Sequence, residues 1–297
     1  MSKYISKDHL LLHLIVFIWG WAPIFGKQIT LEALQLVWFR IGITIIAITI
    51  YALIIKQRFT ISLKDYSLLG LTGAVIAFHW FCFYHAIKVS NVSVTLAAFA
   101  TGTFFTSITE PFFYKRKFLW YELFFGLLII VAIAFIFNVE TQNKLGIIFG
   151  VLAAFTSSLF TVWNGLFVRK IEAPVISIVE LCGGFVALSI YLFFAGEFNQ
   201  HFFTVSKNDW IFISIFSIIG TAFPYVASTN LLKRISPFTV TLTVNLETVY
   251  GIIFAFLIWR KSEQMTASFY FATAFILLII IINAIVKARI KKGPVII

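Results

Sequence analysis

Charged residues are scarce in this chain of 297 residues: Asp, Glu, Lys and Arg together make up only 12% of it. A soluble domain carries about 25% charged residues, so the composition excludes a single soluble core. Hydrophobic residues reach 61% and the mean hydropathy is +0.99, which is typical of an integral membrane protein. The net charge of +11 does not indicate nucleic-acid binding, because the basic residues lie in short loops between apolar runs.

Cysteine is nearly absent, and Cys82 and Cys182 both lie in apolar runs without metal-ligand spacing. No metal, cofactor or disulfide is therefore expected. The chain also lacks a Walker motif for ATP binding and any linker long enough to indicate a separate soluble domain. The first apolar run contains Trp19-Gly20-Trp21 and no small-residue cleavage site follows it, so we expect a retained helix and not a signal peptide.

Ten apolar runs approach the roughly 20 residues that a helix needs to cross a bilayer. The predicted spans are Leu10–Gly26, Ala33–Ile55, Tyr66–Ile87, Val92–Tyr114, Leu119–Asn138, Leu145–Val168, Pro174–Gly196, Trp210–Leu232, Pro237–Trp259 and Phe269–Val286. They divide into two groups of five, residues 1–140 and 141–297, and an odd number of helices per group inverts the second group. We predict an all-α integral membrane fold of ten transmembrane helices, arranged as two inverted five-helix repeats around a central cavity.

Lys and Arg are distributed unequally between the two sides of the membrane. If the N-terminus is inside, the sixteen cytoplasmic ones are Lys3, Lys7, Lys56, Arg58, Lys64, Lys115, Arg116, Lys117, Arg169, Lys170, Lys233, Arg234, Lys287, Arg289, Lys291 and Lys292. The six on the other side are Lys27, Lys88, Lys144, Lys207, Arg260 and Lys261. Because cytoplasmic loops carry the excess of Lys and Arg, both termini are predicted to be cytoplasmic.

Glu247 lies near the centre of the predicted ninth span, where a charge costs roughly 2.5–3.5 kcal/mol on insertion scales. Such a residue normally faces a bundle interior or a water-filled cavity. Arg40 and Glu180 occupy matching positions in the second helix of each half. Arg40 could pair with either glutamate as a structural clamp. Alternatively, Arg40 holds a substrate carboxylate while a glutamate binds a substrate amine, carries a proton, or does both, which would suit an amino acid.

Other polar and aromatic residues inside the spans complete the predicted substrate site. They are Asn245 and Tyr250 beside Glu247, with Trp19, His79, Trp80, Asn164 and Tyr225 as candidates for the pocket wall. For His79 two interpretations stay open, a place in the cavity wall and a bond to a backbone carbonyl. Glu110 lies close to Lys115 and Arg116, which indicates an interfacial charge that fixes the helix end. Helix breakers mark where unwound backbone is tolerated, at Pro23, Pro111 and Pro224.

The run Asn245-Leu246-Glu247-Thr248-Val249-Tyr250-Gly251-Ile252 resembles an NLEPVYGI signature in the last-but-one helix of a bacterial subgroup of the EamA family, within the drug/metabolite transporter superfamily. Thr248 stands where the signature has proline, so a kink is not expected from a proline there. The resemblance covers nearly the whole chain. The other matching positions are Thr106-Ser107-Ile108-Thr109-Glu110-Pro111, Lys115-Arg116-Lys117, Trp120-Tyr121-Glu122, Arg40, Asn164 and Glu180.

The resemblance implies a secondary transporter of small metabolites in the bacterial inner membrane. An exporter of amino acids or related compounds, working by alternating access without ATP, is the leading interpretation. The expected partners are a small-molecule substrate, the lipid bilayer and a coupled proton, with no nucleic acid. A flippase for lipids or lipid-linked sugars on the same fold is the alternative. An integral membrane enzyme is a third interpretation, but the acidic residues are spread over different helices and do not form the cluster that it would need.

Overall fold

The computed structural model describes residues 7–290, without the side chains of residue 284 and residues 287–290. Every regular element in this part of the chain is helical. Nine helical segments are long and apolar enough to cross a membrane: Lys7–Gln28, Ala33–Ile54, Leu63–Val89, Val92–Tyr114, Trp120–Val139, Thr141–Phe167, Ala173–Phe194, Lys207–Leu231 and Pro237–Ile258. We call these the first to ninth spans. The protein is therefore an all-α, multi-pass membrane protein.

The tenth predicted span corresponds to a helix, Ala267–Ile290, of which the described apolar part, Ala267–Asn283, is shorter than the other nine. The structure therefore confirms nine of the ten predicted spans as long enough to cross a membrane, and the tenth stays a prediction. Lys3, Lys291 and Lys292, which contribute to the charge count, lie outside the described residues.

Polar caps explain why some spans begin earlier than hydropathy predicts. The third span begins at Leu63 and not at Tyr66, because the Ser62 hydroxyl accepts a hydrogen bond from the Asp65 amide at 3.1 Å. An N-cap of this kind satisfies one of the free amides at a helix start. The capping turn itself is polar, so an apolar window misses it. Similar caps precede the fourth, eighth and ninth spans, at Asn91, Ser206 and Ser236.

Three spans are interrupted near their middle. The segments are Lys7–Trp19 and Ala22–Gln28 in the first span, Val92–Phe99 and Gly102–Tyr114 in the fourth, and Lys207–Ser217, the π-helical Ile218–Ala222 and Phe223–Leu231 in the eighth. Pro23 and Pro224 follow the breaks in the first and eighth spans, as expected from a residue that lacks an amide hydrogen. Pro111 does not break the fourth span. Its interruption lies at Ala100 and Thr101, and the helix continues through Pro111.

The third and seventh spans cross closely at glycines. A Cβ atom placed on Gly73 would collide with the backbone carbonyl of Glu180, and Gly184 approaches the Gly73 carbonyl in turn. Small residues let two helix backbones approach in this way. The crossing fixes the backbone at Glu180 against the third span.

The fourth and ninth spans are joined at both ends by buried glutamates. Glu263, just after the ninth span, accepts hydrogen bonds from the Val92 and Ser93 amides at the start of the fourth span. Glu110, in the last turns of the fourth span, accepts one from the Phe238 amide at 2.6 Å, at the start of the ninth. Glu110 also pairs with Arg116 at 3.1 Å, so the predicted contact with a basic residue at this helix end is present.

Candidate substrate cavity

A cavity of about 110 Å³ lies in the interior of the helix bundle, beside all three interruptions. Its wall includes Trp19 and Ala22 on the two sides of the first break and Phe99 and Gly102 on the two sides of the second. In the eighth span the wall includes Thr221 within the π-helical segment and Tyr225 just after it. Irregular backbone at membrane depth is tolerated where it lines a cavity or is buried in protein, and broken helices form the binding sites of many transporters. The three interruptions therefore lie together around the cavity and form part of its wall.

Eight of the ten predicted site residues line this cavity. They are Trp19, Arg40, His79, Trp80, Asn164, Tyr225, Asn245 and Glu247. Tyr250 does not line it, because the ring lies on another face of the ninth span, 5.5 Å from Phe17 and 6.5 Å from Phe254 between ring centroids. Glu180 is fully buried behind the wall, bonded to Asn164 and Tyr225.

Arg40 is held in place by neutral groups. Its Nε donates to the Thr221 hydroxyl at 2.9 Å, and its Nη1 donates to the Tyr84 hydroxyl at 2.6 Å. The guanidinium carbon lies over the rings of Trp80 and Phe216, 4.0 and 4.1 Å from their centroids. Contacts with ring faces stabilise a cation electrostatically. Arg40 therefore keeps its charge in a buried position without a carboxylate beside it.

The π-helical segment explains how Thr221 reaches Arg40. Pro224 has no amide hydrogen, so the regular helical bond to the carbonyl four residues earlier cannot form. The extra residue in the turn brings the Thr221 hydroxyl to the Phe216 carbonyl at 3.0 Å, where it donates while accepting from Arg40. A single-turn π segment is frequently found at a functional site.

Arg40 and Glu247 face the same cavity without contact. Among the side chains that the structure describes, no ion pair within 4.0 Å includes Arg40, Glu180 or Glu247. The two cavity-lining charges interact electrostatically at longer range. The interpretation of Arg40 as a clamp on a glutamate is therefore not realised in this structure.

Glu247 is presented by a helix that is bonded to the fourth span on either side of it. The Asn245 amide group donates to the Thr103 hydroxyl, and the Thr248 hydroxyl donates to the Leu96 carbonyl at 3.1 Å. Glu247 itself is 6% exposed and has no hydrogen-bond partner among the described residues. The ninth span runs unbroken from Pro237 to Ile258, in keeping with threonine instead of proline at position 248.

Both interpretations of His79 hold together. Its ring lines the cavity, and its Nδ1 donates to the Ala153 carbonyl at 2.7 Å. Aromatic rings of Phe83, Phe99 and Phe160 surround it, with centroids between 5.2 and 6.4 Å away. These rings make much of the cavity wall apolar.

The cavity wall contains further polar residues that were not predicted from the sequence. Ser157 and Thr161 line the cavity together with Asn164, at intervals of four and three residues along the sixth span. That spacing places them on one helix face, so the polar stripe was present in the sequence as a signal. Within the described residues, no group of three or more His, Cys, Asp or Glu stands in an arrangement that could hold a metal ion.

A multi-pass helical bundle with broken spans around an internal polar cavity is an architecture of secondary transporters. The chain belongs to the EamA-like transporter family, whose sequence pattern matches residues 7–138 and again residues 144–285. This confirms the resemblance seen in the sequence and the organisation of the fold in two repeats. The protein is therefore a membrane transporter.

One relative agrees with this assignment. The uncharacterized transporter YdfC of Bacillus subtilis (strain 168) is 25% identical over 249 residues, which cover 80% of this chain and 79% of YdfC. The fold itself is similar to that of a solved crystal structure of a protein, with a TM-score of 0.70 at 10% identity, over 95% of this chain and 98% of the other. At that identity the likeness concerns the fold alone.

Proposed function

We propose that the cavity binds a small zwitterion, such as an amino acid, between Arg40 and Glu247. The observation that carries the proposal is that Arg40 and Glu247 line one buried cavity and form no ion pair with each other. A guanidinium has five N–H donors, and Arg40 uses two of them on Thr221 and Tyr84. The remaining donors suit a substrate carboxylate, which a guanidinium binds in a bidentate manner. Glu247 would accept hydrogen bonds from the substrate amine.

The aromatic wall supports a substrate with an apolar side chain. Trp19, Trp80, Phe83, Phe99 and Phe160 all line the cavity, so most of its surface offers no hydrogen bonds. Ligand pockets combine such an apolar lining with a few polar groups that fix orientation. An amino acid would then be held by its two charged groups, with its side chain against the rings.

Alternating access is supported by the three broken spans. Short irregular segments absorb changes in backbone angle while the helices move as rigid bodies. Breaks beside Trp19, Phe99 and Thr221 lie at the level of the proposed substrate, where binding would affect them directly. We further propose export across the bacterial inner membrane, with both termini cytoplasmic and a proton as the coupled ion, in line with the charge distribution and the family.

Counterflow in proteoliposomes tests this function. Purified protein is reconstituted, vesicles are loaded with one unlabelled amino acid at a time, and uptake of the labelled form is measured. Wild-type protein should exchange at least one amino acid, and Glu247→Gln should lose most of that exchange because the amine loses its charged partner. Tyr250→Phe is the matched control on the same helix and should exchange normally.

Two results would contradict the proposal. Exchange that is unchanged in Glu247→Gln would remove this glutamate from the substrate site. Movement of a fluorescent lipid between leaflets, in vesicles that exchange none of the amino acids, would identify a flippase instead.

A further inference from the structure

Glu180 is a buried carboxyl group with only one of its two oxygens satisfied. It lies in the seventh span and is 0% exposed. Its Oε2 accepts hydrogen bonds from the Tyr225 hydroxyl at 2.6 Å and from the Asn164 amide group at 3.2 Å. Its Oε1 is buried and has no partner among the described residues. A buried carboxylate in a native structure normally has all of its oxygens bonded.

A second buried oxygen next to this carboxyl group is also unpartnered. It is Oδ1 of Asn164, whose Nδ2 bonds to Oε2 of Glu180. The carboxyl group and the amide group therefore share one hydrogen bond and leave two oxygens over, neither of which carries a hydrogen when the carboxyl group is ionised. The Ser177 hydroxyl, three residues before Glu180, is buried without a partner as well, so it does not bond to the carboxyl group.

Among the described side chains, no cation is bonded to Glu180. The buried titratable groups of the spans packed against the seventh are His79, Cys82 and Tyr84 in the third, Arg40 in the second and Tyr225 in the last part of the eighth. His79 bonds to a backbone carbonyl and Arg40 bonds to neutral groups. Only Tyr225 of these contacts Glu180, and the sixth span contributes a neutral amide. An isolated charge in such a site is strongly disfavoured unless it is neutralised.

We propose that Glu180, Asn164 and Tyr225 form a proton-binding site whose carboxyl group lies behind the wall of the substrate cavity. A proton on Oε1 makes the carboxyl group neutral and turns Oε1 into a donor, for which Oδ1 of Asn164 is the available acceptor. A metal cation fits less well, because hard cations take about six oxygen ligands, whereas the carboxyl group and Asn164 offer two unpartnered oxygens.

The site is placed to change the cavity when its proton leaves. Asn164 and Tyr225 both line the cavity while holding Oε2 of Glu180. The glycine crossing with the third span fixes the Glu180 backbone, so a new charge on the carboxyl group must be met by movement of these two side chains. The role of this proton in changing the cavity rests on the proposed proton-coupled transport. The protonation of Glu180 itself does not rest on it.

Infrared spectroscopy detects the proton without any substrate. Protein in lipid nanodiscs should show the carbonyl stretch of a protonated carboxylic acid at neutral pH. The difference between the wild-type and Glu180→Gln spectra should contain this band, and the band should persist in Glu247→Gln, so any acid band of Glu247 is identified separately. Asn164→Leu should shift the Glu180 band, because the acceptor of the acid proton is removed. If Glu180→Gln does not fold, the Asn164→Leu spectrum decides, since an unshifted band would overturn the assignment.

Two other outcomes would overturn it as well. A band that is absent from wild type, or unchanged in folded Glu180→Gln, would mean that Glu180 is ionised and bonded to buried water. Loss of the band when choline is replaced by sodium would mean that the site takes a metal cation. Because no transport is measured, a failure of the amino-acid proposal leaves each of these results interpretable.

Discussion

Replacing Glu263 by glutamine should destabilise the protein by about 2–4 kcal/mol. Each carboxylate oxygen accepts two hydrogen bonds: Oε1 from Lys27 at 2.6 Å and the Val92 amide at 3.2 Å, Oε2 from the Ser93 amide at 3.0 Å and its hydroxyl at 2.8 Å. Glutamine has one carbonyl oxygen, so one of these pairs would meet an NH₂ group, which cannot accept.

The size of this destabilisation depends on whether the two donors that lose their acceptor can find another partner. The Ser93 hydroxyl can rotate to accept, and Lys27 can turn to solvent because its side chain is 23% exposed. The backbone amide of either pair cannot move, and an unsatisfied buried amide costs about 1–3 kcal/mol. Loss of the charge on a buried partner of Lys27 adds roughly another 1 kcal/mol, since hydrogen bonds to charged groups exceed neutral ones by about that amount.

Thermal unfolding in detergent, followed by tryptophan fluorescence at one scan rate, measures the effect. The midpoint should fall by roughly 2–4 °C for each kcal/mol. Glu172→Gln is the matched control, because Glu172 is 62% exposed and its pair with Lys233 at 2.9 Å is a surface contact, worth about 0–1 kcal/mol. Equal shifts in the two variants, or no shift in Glu263→Gln, would refute the role of Glu263 as a buried cap.

Two further substitutions test the interior. Gly73→Ala should reduce the free energy of unfolding by about 1–3 kcal/mol through overpacking and so lower the thermal midpoint, because its Cβ meets the Glu180 carbonyl. Gly70→Ala, with nothing within 4 Å of the new atom, should leave the midpoint unchanged, and equal midpoints would contradict the close crossing. Thr221→Val should weaken amino-acid exchange by removing the acceptor of the Arg40 Nε bond, while Thr221→Ser should retain it, and normal exchange by the valine variant in the counterflow assay would show that this bond is dispensable.

The spans were predictable because hydrocarbon imposes a simple length rule. A run of apolar residues must cover about 30 Å, and nine of the predicted spans correspond to long apolar helices in the structure. The interruptions were only partly predictable. The breaks in the first and eighth spans are marked in the sequence by Pro23 and Pro224. The break at Thr101 has no proline, however, and Pro111 leaves its helix continuous.

The cavity wall was predictable where polarity alone marks a residue. Arg40 and Glu247 are recognisable in an apolar sequence whichever helix face they occupy. Tyr250 was assigned to the site through its closeness in sequence to Glu247, yet the helical turn points its ring to Phe17. The partners of Arg40, Thr221 and Tyr84, come from two other spans, and no pattern within one helix predicts which spans will meet.

The neutral support of Arg40 bears on how a zwitterion could bind and leave. A direct pair between Arg40 and a buried glutamate would have to be broken by every substrate, and breaking a buried ion pair costs about 3–5 kcal/mol. Here aromatic rings and two hydroxyl groups hold the guanidinium, so its charge and several donors stay available. Glu247 likewise has no bonded partner among the described residues. Under the proposed function, substrate binding would then replace weak long-range attraction, and release would leave no broken ion pair behind.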